Sequence, residues 1–127
     1  MNGFLLVAIG GAIGASLRYG AGLAFTEHGG VSGAWATLFV NVVGSFILGA
    51  LMGWFTSREP ALENTLWLLL GVGMMGAFTT FSAFSRDTVH MFMTGEVAKG
   101  VVYAGLNMVG ALAAFTVGLL ALKKLLA

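Results

Sequence analysis

The sequence predicts an all-α membrane protein of four transmembrane helices, and three observations predict it. Hydrophobic residues make up 58% of the chain and charged residues 9%, against roughly 25% charged in soluble proteins. Four segments stay apolar over the roughly 20 residues that a helix needs to cross the hydrocarbon core of a bilayer. The stretches between them are short and polar, as connections between antiparallel neighbours are. At 127 residues the chain is also too small to bury so many apolar side chains in a core of its own. Residues 1–127 are therefore expected to form a single transmembrane domain. The absence of cysteine excludes disulfides and thiolate metal sites, and the two histidines, His28 and His90, lie far apart. A formal net charge of +1 offers no basic surface to nucleic acid.

The first span is expected over about residues 3–25. It lacks a basic n-region and exceeds a typical signal-peptide core, so it reads as a mature helix. Arg18 interrupts it. An ionisable residue inside a span is a functional candidate, and there it would set a positive field at a pathway mouth. A long side chain near a helix end also snorkels to the interface, and both readings fit.

The second span is expected over about residues 35–55. It carries Asn41 in "TLFVNVVGS", whose amide offers two donors and an acceptor. Such a group glues helices together or lines a pathway. Small residues four apart, Gly10 with Gly14 and Ser45 with Gly49 and Gly53, let helix backbones approach closely in lipid.

The third span, about residues 65–93, is the least ordinary. "GVGMMG" matches G-x-G-x-x-G, but it sits inside a spanning segment instead of at a strand-to-helix turn, so nucleotide binding is excluded. Gly73, Gly76, Thr79 and Thr80 have the composition of a helix break near residues 76–79. Unwound backbone at membrane depth is tolerated where protein or a water-filled cavity shields it, and its carbonyls can bind a cation. A continuous helix stays open as the other reading.

The break region begins "GAFTTFSAFSRD", where Thr79, Thr80, Ser82 and Ser85 alternate with Phe78, Phe81 and Phe84. On a continuous helix at about 100° per residue, Phe81, Phe84 and Thr88 share one face and Thr79, Ser82 and Arg86 the opposite one. Packing phenylalanines and hydroxyls bonded back to helix carbonyls would explain this pattern. So would an anion path, because the edge of an aromatic ring is positive. Ring edges alternating with Asn, Ser, Thr and Tyr donors would replace part of an ion's hydration shell, as conduction requires.

The fourth span is expected over about residues 98–122, after a turn at Gly95 and before Lys123 and Lys124. Tyr103 and Asn107 lie four apart on one face of it, as glue or as pathway. With the N-terminus on one side, Arg58, Lys123 and Lys124 fall on that side and Arg18, Arg86 and Lys99 on the other. The positive-inside rule then gives almost no orientation. A weak bias toward one topology and insertion both ways, pairing as an inverted homodimer, are both compatible with that balance. Four helices can hardly enclose a pathway alone, which favours an oligomer.

Over nearly its whole length the chain resembles the Fluc (CrcB) family of fluoride channels. "GGAIGASLRY", "TLFVNVVGS", "GAFTTFSAFS" and "YAGLN" carry the resemblance. It implies an antiparallel, dual-topology homodimer with a broken third helix and two antiparallel pores. It implies passive export of cytoplasmic fluoride, without enzyme chemistry. The family's phenylalanine box falls on Phe81 and Phe84, its pore asparagine on Asn41 and its vestibule arginine on Arg18. The polar lining falls on Tyr103 and the hydroxyls around Ser82, including Thr80, with Thr37 and Asn107 placed on the same pathway. A structural sodium ion at the dimer interface would be held by main-chain carbonyls of Gly76 and Thr79. The partners implied are fluoride, the lipid bilayer and a second copy of the chain, in the inner or plasma membrane of a prokaryote. Asn107 and Ala111 stand where family members often carry hydroxyls.

Two rivals share some of these features. A small multidrug-type, proton-coupled cation antiporter has the same size, span number and dual topology, but it needs a membrane-embedded carboxylate. The first span has Arg18 and no Asp or Glu, and Asp87 is the nearest candidate, beside Arg86. A membrane assembly subunit without transport would use the glycines and leave the polar residues idle.

Overall fold

The computed structural model describes residues 2–28, 32–57 and 65–127. The expectations attached to Arg58 and to the segment around Pro60 lie outside the described residues. Within them every regular element is helical: α1 (Gly3–Leu23), α2 (Gly33–Thr56), α3 (Gly76–Phe78), α4 (Phe81–Met93) and α5 (Val97–Leu126). A π-helical turn, Ala24–His28, extends α1, and a longer π-helical segment, Trp67–Met75, leads into α3. Four stretches are long and apolar enough to cross a membrane: Gly3–Glu27, Gly33–Thr56, Trp67–Met93 and Val97–Leu126.

The element ends follow from local chemistry. Asn2 caps α1, its side chain accepting from the Phe4 N–H at 3.1 Å. α5 continues to Leu126, beyond the expected end, because Lys123 and Lys124 are favourable in a last turn whose carbonyls are partly negative. Between α4 and α5 the chain turns at Gly95, whose φ of 82° suits glycine. Glu96 N–H reaches the Met91 carbonyl at 2.9 Å and Gly95 N–H the Phe92 carbonyl at 3.2 Å. That pair of bonds closes α4 with a Schellman motif and sends α5 back along the bundle.

α2 packs along α5, and α1 packs along Trp67–Met75 and α3. Both seams depend on glycine. A Cβ at Gly14 would collide with the Met74 carbonyl, and one at Gly49 with the Phe115 carbonyl. The closeness that the small-residue spacing predicts is therefore backbone against backbone. Large apolar side chains such as Leu17, Val101, Met108 and Leu112 face outward, which suits surroundings of lipid or a second chain.

Between α3 and α4, Thr79 (φ −80°, ψ 157°) and Thr80 (φ −153°, ψ 115°) are extended. Thr80 is the N-cap of α4, its Oγ1 accepting from the Ala83 N–H at 3.1 Å. This corrects the continuous helical wheel: the 100° phase holds from Phe81 onward, and Thr79 has no place on that wheel. The extended pair also sits later than the glycines suggest, because Gly76 itself begins the single turn of α3.

Candidate functional site

An extended residue inside a spanning segment leaves its N–H and C=O without helical partners, and in hydrocarbon each unsatisfied group costs several kcal/mol. The Thr80 N–H is in that position, while its carbonyl, at the N-cap of α4, faces the first turn of that helix; Asn41 of α2 bonds to both groups. The Thr80 N–H donates to Asn41 Oδ1 at 2.7 Å, and Asn41 Nδ2 donates to the Thr80 carbonyl at 3.1 Å. The second Nδ2 hydrogen goes to Asn107 Oδ1 at 3.0 Å, and Asn107 Nδ2 donates to the Tyr103 carbonyl at 3.1 Å. The network sets both amide orientations, since a backbone N–H donates only and the Asn41 oxygen must face it. Asn41 and Asn107 are buried. Asn41 thus commits its amide oxygen and both Nδ2 hydrogens to Thr80 and Asn107, and contact with an anion requires it to exchange one of these bonds.

Phe81 and Phe84 open α4 with ring centroids 5.2 Å apart and planes tilted by 57°, yet their surroundings differ. Phe84 is 8% exposed and sits in a cluster with Ala34, Met91 and Tyr103, while Phe81 is 75% exposed. Tyr103 packs against Phe84 with ring centroids 6.0 Å apart and meets Trp35 at near right angles, at 6.5 Å. The two phenylalanines, Thr79, Thr80, Asn41 and Asn107 border a cavity of about 330 Å³, which continues over Ser45, Met108, Ala111 and Leu112.

The hydroxyls divide into two groups. Thr79 Oγ1 donates to the Met75 carbonyl, Ser85 Oγ to Phe81 and Thr88 Oγ1 to Phe84, at 3.0, 2.9 and 2.8 Å. These bond back to the chain's own helical turns and are satisfied there. Thr80 and Ser82 instead share a bond of 3.2 Å in which either is the donor. Ser82 is exposed, so this pair can turn a proton outward.

Thr80 also borders a second cavity of about 440 Å³, with Arg18, Thr26, Thr37 and Arg86 on its wall. Arg18 Nε donates to the Ala77 carbonyl at 3.0 Å. It satisfies one of the terminal carbonyls of α3, a tertiary contact that simple snorkelling does not include.

Thr37 and Tyr103 meet at a residue that the sequence singled out only for proton exchange. Asp87 Oδ2 accepts from Thr37 Oγ1 at 3.0 Å and from the Tyr103 hydroxyl at 3.2 Å. Its Oδ1 accepts from Arg86 Nε at 2.9 Å and Nη2 at 2.8 Å. The Asp87 side chain is 10% exposed and that of Arg86 72%. The available signal was a carboxylate within a span, which is functional by default. Among the described residues no buried side-chain nitrogen or oxygen lacks a partner.

The Thr80 N–H, which would continue the helix to the Gly76 carbonyl, goes to Asn41. Gly76 is exposed, and the nearest atom to a Cβ built on it is the Gly71 carbonyl oxygen at 3.8 Å. Among the described residues no group of three His, Cys, Asp or Glu could hold a metal. An ion here would rely on main-chain oxygens, a donor type that alkali and alkaline-earth cations accept.

Residues 5–119 match the model of a family described as CrcB-like protein, Camphor Resistance (CrcB). The chain is similar to the fluoride-specific ion channel FluC of Hyphomonas neptunium, 43% identical over 127 residues that cover all of both chains. It is 45% identical over 104 residues, 82% of each chain, to the protein of that name from Thermus thermophilus. A third relative of the same name, from Caulobacter vibrioides, is 39% identical over 127 residues and the whole of both chains.

Proposed function

This chain belongs to the CrcB family, and on that footing we propose that it is a fluoride-selective ion channel, a passive conductor and not an enzyme. It exports cytoplasmic fluoride down its electrochemical gradient across the inner membrane of a prokaryote. A potential negative inside favours exit of the anion by about 2.3 kcal/mol per 100 mV, so no chemical energy source is needed. The single observation that carries the reading, beside family membership, is the Thr80–Asn41–Asn107 hydrogen-bond chain next to Phe81 in the third span. It keeps polar groups and ring edges together at membrane depth, where a dehydrating anion needs them.

The working unit in this reading is an antiparallel, dual-topology homodimer with two pores. The outward exposure of Phe81 and Gly76 at mid-span supports a second copy lying against them. The extended Thr79 and Thr80 are the break of the third helix. Fluoride enters past Arg18, meets the Thr80 and Ser82 hydroxyls and passes the edges of Phe81 and Phe84. Thr37, Tyr103 and Asn107 form the polar wall. Carbonyls of Gly76 and Thr79 would hold a structural sodium ion at the dimer interface, which would supply fixed positive charge beside the break.

One observation disfavours the antiporter. Asp87, the carboxylate it would need, already accepts two hydrogen bonds on each oxygen, from Arg86 on Oδ1 and from Thr37 and Tyr103 on Oδ2, so a proton taken up at either oxygen must compete with donors already there. Growth tests the function. Expression in a bacterium lacking its own fluoride exporter restores growth on fluoride medium, and failure of the membrane-inserted protein to do so contradicts the reading.

A further inference from the structure

We propose that Arg86 sets the anion field of the vestibule, by masking the Asp87 carboxylate and placing the outermost positive charge on the approach to Thr80. The inference rests on the fluoride-channel reading. Its basis is the second cavity, where Arg18, Arg86, Thr37 and Thr80 share one wall. Thr37 bonds directly to Asp87, so a carboxylate charge lies one hydrogen bond behind the surface that an entering anion touches. An unmasked carboxylate there repels fluoride, and low-dielectric walls focus that repulsion.

Arg86 answers this charge in a directional way. Its Nε and Nη2 both bond Oδ1, which leaves Oδ2 wholly to Thr37 and Tyr103. The pair is also lopsided in depth, with the Asp87 side chain 10% exposed and that of Arg86 72%. Its positive end therefore faces the water-filled side and its negative end faces protein donors. Arg18 contributes a second guanidinium, tied through Nε to the Ala77 carbonyl. With both arginines the wall carries net positive charge, and without Arg86 the remaining arginine and the carboxylate cancel.

The test is fluoride efflux from liposomes at fixed sodium, with ionic strength set by an impermeant organic salt. The Debye length falls from about 30 Å at 0.01 M to about 3 Å at 1 M. Arg86→Gln is expected to slow efflux about tenfold at low ionic strength, the lower end of electrostatic steering effects, and to converge with the unsubstituted protein at high ionic strength. Arg86→Lys keeps the charge and most of the flux, and Arg86→Glu falls below Arg86→Gln. Equal efflux for Arg86→Gln at low ionic strength, or the same fractional loss at both, overturns the proposal. So does efflux from the unsubstituted protein that does not fall with rising salt, a readout that requires no variant to fold. If the unsubstituted protein releases no fluoride, the channel reading fails; if it conducts and Arg86→Gln is silent, only the role of Arg86 fails.

Discussion

Asn41 exchanges two hydrogen bonds with the backbone of Thr80, accepting from its N–H at 2.7 Å and donating to its carbonyl at 3.1 Å. One side chain thereby replaces the helical acceptor that the Thr80 N–H lacks inside a span and adds a donor to its carbonyl. Replacement by Ala leaves the Thr80 N–H unpaired, at about 1–3 kcal/mol, and removes the side-chain donor from its carbonyl. Asn41→Ala is expected to melt earlier in detergent and to lose flux. Asn41→Asp is expected to be worse, since a carboxylate oxygen would face the Thr80 carbonyl. A wild-type melting temperature for Asn41→Ala would show that the backbone pairing carries no stability.

The unequal burial of the two phenylalanines separates packing from conduction. Phe81 is 75% exposed and Phe84 8%. Phe81→Ile is expected to abolish or sharply reduce fluoride efflux while leaving monomer packing intact. Phe84→Ile is expected to reduce efflux and also stability, because the ring contact with Tyr103 contributes about 0.5–1.5 kcal/mol beyond its buried area. Efflux and thermal melting measured on the same preparations decide this. Full-rate efflux from Phe81→Ile refutes its pore role.

Asp87 couples α2, α4 and α5 through Thr37 and Tyr103. Hydrogen bonds to a charged group contribute about 1.5–3 kcal/mol, so Thr37→Val and Tyr103→Phe each lower stability within that range. Because both hydroxyls donate to the same oxygen, the double variant departs from additivity by about 0.5 kcal/mol or more. Strict additivity in a melting or denaturant series would mean that the shared carboxylate does not link them.

The sodium proposal has its own readout. Replacing sodium by N-methylglucamine during purification is expected to slow fluoride efflux and loosen the dimer in cross-linking. Unchanged efflux and unchanged cross-linking in the exchanged protein would remove the ion from the account.

The four spans and the turn at Gly95 were legible because hydropathy over a bilayer's thickness and a positive-φ glycine are local signals. Asn41, Tyr103 and Asn107 were visible as polar residues in apolar runs. What they bond to was not, since Asn41 meets Thr80 across 39 residues and Thr37 meets Asp87 across 50. No spacing rule reaches that far. The helical wheel misplaced Thr79 because it assumed a single phase through residues whose extended dihedrals reset it. Asp87 and Arg86 were read as adjacent charges, and their importance emerges only once α2 and α5 bring two hydroxyls to the same carboxylate.

The most direct test is efflux from liposomes loaded with fluoride or with chloride, followed by ion-selective electrodes. The account predicts rapid release of fluoride and negligible release of chloride from the reconstituted protein. Retention of fluoride, or release of chloride at a comparable rate, would contradict it.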